Sequence, residues 1–299
     1  MDDKHYSRRD FLAMAGVGGL VFASSLPGCA STGASAGAGY GDFSFVQLTD
    51  IHWGYGNPKV NPDTRGTLTR ALAAVNALEQ KPDFVVFTGD LTQTTDDTKV
   101  RRQRLREFQD MSRSLNVPVR YFAGEHDASL DRGEAYLEVF GGALNYTFEH
   151  KGIHFIVLDN ISDPAPILGA KQVAWLKDDL AKQRADQPIV VLTHRPLFAM
   201  YPQWDWATRD GQQAIDLLMP FKNVTVFYGH VHHEHHFNTG HIQHHASKAV
   251  MFPLSPVGTM SNKTQLPWNA AKPYDGLGWR TVRATASGAA QQMREHNIG

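Results

Sequence analysis

The chain has 299 residues, 42% of them hydrophobic and 20% charged, with a net charge of −1 at pH 7. That composition is ordinary for a globular protein and leaves room for one large domain or two small ones. Balanced charge without a basic patch gives nothing that points to nucleic acid as the main partner, and no apolar run of about 18 residues follows the N-terminus, so no membrane-spanning helix is expected in the body.

The first 29 residues read as an address. Ser7-Arg8-Arg9-Asp10-Phe11-Leu12 precedes a Gly/Ala-rich apolar run, and the pattern resembles a twin-arginine export signal. It implies the twin-arginine translocation machinery as a partner and a periplasmic destination. Cys29 is the single cysteine, set in "LPGCAS". That stretch resembles a lipoprotein processing site, with Pro27 in place of the usual small residue. Lipid anchoring through Cys29 and ordinary signal cleavage nearby both remain open. One cysteine permits no disulfide within the monomer. Residues 30–41, "ASTGASAGAGYG", form a flexible tether, and one folded domain is expected from 42 to 299.

Six short apolar runs follow: "FSFVQLTD" (43–50), "DFVVFTGD" (83–90), "VPVRYFAGEHD" (117–127), "IHFIVLDN" (153–160), "QPIVVLTH" (187–194) and "NVTVFYGH" (223–230). Each is rich in β-branched or aromatic residues and too short for a helix. Helical patterns lie between them, over 64–78, 96–115, 171–183 and 211–219. The alternation predicts an α/β domain whose site gathers at the strands' C-terminal ends.

The strand ends carry Asp50 and His52; Asp90; Glu125, His126 and Asp127; His194; His230 and His232. A single Asp there is commonly a helix cap or turn residue. Capping would also use Ser, Thr and Asn, so an unbroken series of Asp, Glu and His points to metal. Carboxylate with imidazole suits Zn, Mn or Fe, and the number of groups suits two ions sharing a carboxylate.

In order, the motifs D-x-H (50–52), G-D (89–90), G-x-H-D (124–127), H (194) and G-H-x-H (229–232) resemble the calcineurin-like metallophosphoesterase superfamily. "AKQVAWLKDDL" ahead of "IVVLTHRPLF" fits as well. The resemblance spans about residues 44–250. It implies a four-layer α/β/β/α sandwich of two mixed sheets flanked by helices. It places one metal on Asp50, His52 and His232, a second on Glu125, His194 and His230, and Asp90 between them. The ions would be divalent or of mixed valence. A water acidified by both would attack phosphorus, with His126 as general acid or charge stabiliser at the leaving oxygen, oriented by Asp127. The implied activity is hydrolysis of a small-molecule phosphate ester.

The pattern departs from the family at Glu125, where Asn is usual. Three carboxylates against two cations would bind metal harder and weaken its Lewis acidity; alternatively, the longer side chain disrupts the second site. Position 93 is Gln where purple acid phosphatases carry Tyr, and the D-R-G segment of the protein Ser/Thr phosphatases is missing after Asp90. The opening motif looks more like the phosphodiesterase branch. A phosphomonoesterase is the nearer alternative, and a non-catalytic exported metal-binding protein the more distant one.

Eight of the fifteen histidines lie within 229–245. "NTG" (238–240) predicts a hairpin with His236 opposite His241. Beyond His230 and His232, the extra histidines read as support for the centre through His244 or His245, as an accessory metal site, or as solvated polar positions. Tyr201, Trp204 and Trp206 are candidates either for stacking on a substrate or for the core. His150 and His154 flank a Lys-Gly turn and read as hairpin residues.

Overall fold

A computed structural model describes residues 42–284 and 291–299. The export signal, the Cys29 site and the tether lie outside the described residues. Among the described residues, no helix is long and apolar enough to cross a membrane.

The six apolar runs become β1 (Phe43–Leu48), β2 (Phe84–Thr88), β3 (Val119–Phe122), β5 (Ile153–Val157), β6 (Ile189–Leu192) and β7 (Val224–Tyr228). A further strand, β4 (Tyr146–His150), pairs antiparallel with β5 around Lys151 and Gly152. That is the hairpin the Lys-Gly pair predicts, and both turn residues have positive φ, at 46° and 82°. The chain ends in β8 (His235–Thr239), β9 (Ile242–Ala246), β10 (Gly278–Ala284) and β11 (Gln291–Asn297).

The four predicted helices are α1 (Gly66–Asn76), α2 (Thr98–Ser112), α5 (Gly169–Leu180) and α6 (Gly211–Leu218), with short α3 (Glu125–Ala128) and α4 (Glu134–Phe140) between. α2 starts where Asp97 accepts hydrogen bonds from the N–H groups of Lys99 and Val100, a side-chain cap of the usual kind. It buries Arg101, Leu105, Phe108 and Ser112, one face at helical spacing.

Two mixed sheets result. One runs β11-β10-β1-β2-β3 and the other β4-β5-β6-β7-β9-β8. β1–β3 are parallel, as are β5, β6, β7 and β9. Three apolar cores separate the layers. Phe45, Phe84, Phe122, Phe155, Leu192 and Phe227 fill the space between the sheets. Leu68, Leu72, Leu105 and Phe108 close α1 and α2 onto the first sheet. Leu176, Leu180, Ile215 and Leu218 close α5 and α6 onto the second. The four-layer α/β/β/α sandwich is therefore observed. The buried Arg280 of β10 ties the sheets together, donating 2.6 Å to the carbonyl of Ala246 and pairing with Glu295.

Candidate metal centre

Parallel strands of both sheets end on one edge, so the loops leaving them converge. Asp50 and His52 follow β1, Asp90 follows β2, Glu125 opens α3 after β3, His194 follows β6, and His230 and His232 follow β7. These seven side chains form two groups. Asp50, His52, Asp90 and His232 make one; Asp90, Glu125, His194 and His230 make the other. Within each group the candidate ligand atoms lie within 4.8 Å of one another. Asp90 belongs to both.

Bringing these residues together strains the backbone. Asp50, His52, Asp90, His230 and His232 have φ of 54°, 43°, 49°, 68° and 58°. Such left-handed conformations are uncommon for non-glycine residues and persist where surrounding contacts over-determine them. Here the loops are stitched together by backbone bonds, Asp50 N–H to Gly89 O at 3.1 Å, His52 N–H to Asp90 O at 2.9 Å and Gly229 N–H to His194 O at 3.0 Å. Close approach also explains two motif glycines. A Cβ on Gly124 would lie 2.1 Å from Asp90 Oδ1, and one on Gly229 would lie 2.0 Å from Thr49 Oγ1.

Each histidine of the two groups turns one nitrogen to an oxygen acceptor and the other inward. His52 Nδ1 meets Gln93 Oε1 at 3.1 Å, His194 Nδ1 meets Thr88 O at 2.7 Å, and His232 Nδ1 meets Phe252 O at 2.6 Å. His230 uses Nε2, 3.1 Å from Asp205 O. Carbonyl oxygens only accept, so the ring proton sits on the outer nitrogen and the inner one presents a lone pair. The inner nitrogens of His52 and His232 face each other at 3.2 Å. His194 Nε2 lies 2.8 Å from Glu125 Oε2, yet neither atom has a hydrogen-bond partner. Lone pairs directed at lone pairs in a buried pocket require positive charge between them.

Electrostatics show the same demand for positive charge, which at His194 a proton can also meet. Burial works against a charged ring at His194, but Asp90 and Glu125 hold it well above the usual imidazole range. Burial pushes the Glu125 carboxyl up, and His230, His194 and Arg195 together hold it well below its ordinary value. Asp50 is likewise lowered against burial, mainly by His232. The donor set, three carboxylates and four imidazoles without sulfur, fits two borderline divalent ions.

Glu125 reaches the centre. Its Oε1 lies 2.7 Å from His230 Nδ1 and 3.6 Å from Arg195. Arg195 in turn pairs with Asp205, whose carbonyl faces His230. The longer side chain therefore keeps its carboxylate within the second group, with a guanidinium beside it.

His126 stands at the open side, its side chain 28% exposed, with Nε2 3.9 Å from Asp90 Oδ2. The expectation that Asp127 orients it needs correction. Asp127 is buried and accepts from Leu91 N–H, Thr92 N–H, Thr92 Oγ1 and Gly124 N–H at 2.8–2.9 Å. Burial and the neighbouring Asp90 push its carboxyl up to about 7. It joins the loop after β2 to the start of α3, while Thr94 meets the His126 ring.

The histidine hairpin also differs from expectation. Gly240 and His241 form its turn, so His236 pairs with His245 and not with His241. His235 meets Tyr228 Oη at 2.8 Å, His236 meets His245 at 2.7 Å, His241 meets Phe221 O at 2.6 Å, and His244 meets Thr239 at 2.6 Å. Among the described residues, no hairpin histidine beyond His232 joins a group of three or more candidate ligands. Trp204 and Trp206 are buried in the core behind α6. Gln93, Thr94, Asn160 and Asp205 escaped the sequence reading as partners of the centre. Asn160 is buried and donates to Arg195 O at 2.9 Å, fixing the chain beside His194.

These features define a metal-binding domain of the phosphoesterase type. A family model described as calcineurin-like phosphoesterase matches residues 43–234, and the chain belongs to that family. The serine/threonine-protein phosphatase CPPED1 of Danio rerio is 27% identical over 219 residues, which cover 64% of this chain and 71% of that protein. The Mus musculus CPPED1 is 29% identical over 53% of this chain and 57% of its own length, so the chain spans little more than half of it. The 3',5'-cyclic adenosine monophosphate phosphodiesterase CpdA of Pseudomonas aeruginosa is 26% identical over 71% of this chain and 77% of that protein. A solved dimetal phosphatase from Danio rerio shares the fold, with a TM-score of 0.56 at 14% identity over 84% of this chain and 98% of its own.

Proposed function

We propose that the chain is a metal-dependent phosphoric ester hydrolase. The observation that carries this reading is the pair of ligand groups sharing Asp90, with ring nitrogens and buried carboxylates directed at one another. Asp50, His52 and His232 would hold one ion, Glu125, His194 and His230 the other, and Asp90 both. Bound there, two cations supply positive charge to phosphoryl oxygens and make a water acidic enough to attack phosphorus. The residues of the chain hold the centre in register, and His126 meets the substrate at its open side.

A phosphodiester is the favoured substrate. The sequence departures from the monoesterase branches and the similarity to a cyclic-nucleotide phosphodiesterase support it. The similarity to protein phosphatases supports a monoester reading instead. Elemental analysis of the purified chain, paired with assays on p-nitrophenyl and bis-p-nitrophenyl phosphate, separates these. Faster turnover of the diester is expected. Faster turnover of the monoester would reverse the preference, and a chain that binds metal but cleaves neither would refute the hydrolase reading. Export through the twin-arginine route, with Cys29 as a membrane anchor, is proposed on the strength of Arg8, Arg9 and "LPGCAS" alone. Labelling of Cys29 with a fatty-acid probe in cells tests the anchor.

A further inference from the structure

The metal centre draws its candidate ligands from both sheets. Asp50, His52, Asp90 and Glu125 follow β1, β2 and β3 of the first sheet, and His194, His230 and His232 follow β6 and β7 of the second. Each ligand group mixes the two: His232 completes the first group, and His194 with His230 the second. The separation of the sheets at this edge therefore sets the distances between ligands. The gap has no slack, since a Cβ on Gly89 would lie 2.3 Å from His194 Nδ1 on the opposite side.

At the strand ends that carry the ligands, the apolar filling between the sheets gives way to two polar side chains. Gln47 of β1 and Arg280 of β10 are register partners, and both are fully buried. Gln47 Nε2 donates across the gap to Tyr228 O at 3.0 Å and, on its own sheet, to Thr88 Oγ1 at 3.2 Å. Arg280 donates across the gap to Ala246 O at 2.6 Å, with Glu295 paired to its other side. The two acceptors, Tyr228 and Ala246, are themselves register partners on β7 and β9. Neighbours on one sheet thus reach neighbours on the other, forming a rung of two hydrogen bonds. Gln47 lies three residues before Asp50, Thr88 two before Asp90, and Tyr228 two before His230. The carbonyl of Thr88 also meets His194 Nδ1 at 2.7 Å.

Burying an amide and a guanidinium between two sheets is costly, and well-packed apolar side chains often serve stability as well or better. Apolar contact, however, is non-directional, whereas a hydrogen bond holds donor and acceptor to a narrow distance and angle. We propose that Gln47 and Arg280 are positioning residues whose rung fixes the alignment of the two sheets at this edge, and with it the spacing of the two metal sites. This rests on the dimetal reading above. Gln47 acts through Thr88 and Tyr228, which lead into the loops of Asp90 and His230. Arg280 acts through Ala246, beside Tyr228.

Titration of the chelator-stripped chain with Mn(II) tests this. Calorimetry reads the number and strength of the sites. Electron paramagnetic resonance reads the spin coupling between the ions, which weakens as they separate. Gln47→Met keeps a similar volume and loses both bonds. It should bind the second Mn(II) about tenfold more weakly, the lower end of what outer partners of metal ligands cost, and with altered spin coupling. Its midpoint in urea without metal should be no lower than that of Phe155→Leu, which thins the apolar filling between the same sheets. Phe155→Leu should keep the affinity and the coupling of the unsubstituted chain. Arg280→Lys keeps a positive charge beside Glu295 and should shift affinity and coupling in the same direction by less; it reads the same quantities if Gln47→Met does not fold. Unchanged affinity and coupling overturn the proposal. An equal loss in Phe155→Leu, or failure of both rung variants to fold, would make the rung a matter of stability and overturn it too. Fewer than two Mn(II) on the unsubstituted chain would defeat the dimetal reading and the rung's role with it, whereas two coupled ions there and in Gln47→Met alike would defeat the rung alone.

Discussion

Two regions of this molecule are dense in histidine, and they differ in what the rings face. At the strand ends, His52, His194, His230 and His232 each send one nitrogen to an oxygen acceptor and one toward Asp50, Asp90 or Glu125. In the hairpin, His235, His241 and His244 meet a tyrosine hydroxyl, a carbonyl and a threonine hydroxyl. Burial, with the neighbouring histidines and, at His245, Arg280, favours the uncharged form of three of the hairpin rings: it pulls His235 and His244 down to about 4 and His245 to about 2. The centre has the same burial plus three carboxylates. Convergence of anionic partners separates a metal site from a run of buried histidines, and abundance of the residue does not.

The comparison can be broken most sharply at Asp90, the carboxylate common to both groups. Asp90→Ala should drop the metal content from about two ions per chain to below one and turnover to background. Elemental analysis with a phosphoesterase assay checks it, and full retention of both metals would remove Asp90 from its place between them. A smaller effect is expected at Glu125. Glu125→Asn removes the third carboxylate, so metal affinity should fall about tenfold or more. The pH–rate profile should shift to lower pH, because a less anionic ligand set acidifies water more strongly. Unchanged affinity and an unchanged profile would sink the charge argument.

On the hairpin side, His236→Asn with His245→Asn should leave metal content and turnover unaltered. Loss of an ion from that double variant would show that the hairpin binds metal after all. The smallest effect is on stability against pH. His235, His244 and His245 bind protons less readily folded than unfolded, where 6.5 is the ordinary value. Stability is therefore full above about 6.5 and falls as the pH drops toward 4, because the unfolded chain takes up more protons. His235 lies beside the stacked pair Phe198 and Phe237, nearly parallel to both at 6.2 and 6.5 Å. His235→Phe should flatten that slope by about one proton in urea unfolding at pH 7 and 5. An unchanged slope would show that His235 protonates without cost to the fold.

Much of the site was legible because strand and motif coincide. A short β-branched run ending in Asp or His announces both a strand and what it delivers, and five such endings in order identify the centre. Asp127 was misread because adjacency to His126 suggested contact, whereas residues next to each other in a one-turn helix point different ways. The hairpin was misread because "NTG" was taken as the whole turn. Gly240 takes the positive φ, 62°, at the first of two loop positions, and this moves the register so that His245 lies opposite His236.

The sequence by itself determined the alternating strands and helices, the two-sheet architecture that this family builds from them, and the seven side chains at the strand ends. These depend on local pattern and on residue chemistry, which the chain carries in order. Tertiary structure alone decided which oxygen each ligand ring faces and that Thr94 lies against His126. Those choices depend on hydrogen bonds between positions far apart in sequence, such as Thr88 with His194, Phe252 with His232 and Gln93 with His52. No local pattern encodes them, because each partner is placed by packing of the sheets and loops around the centre.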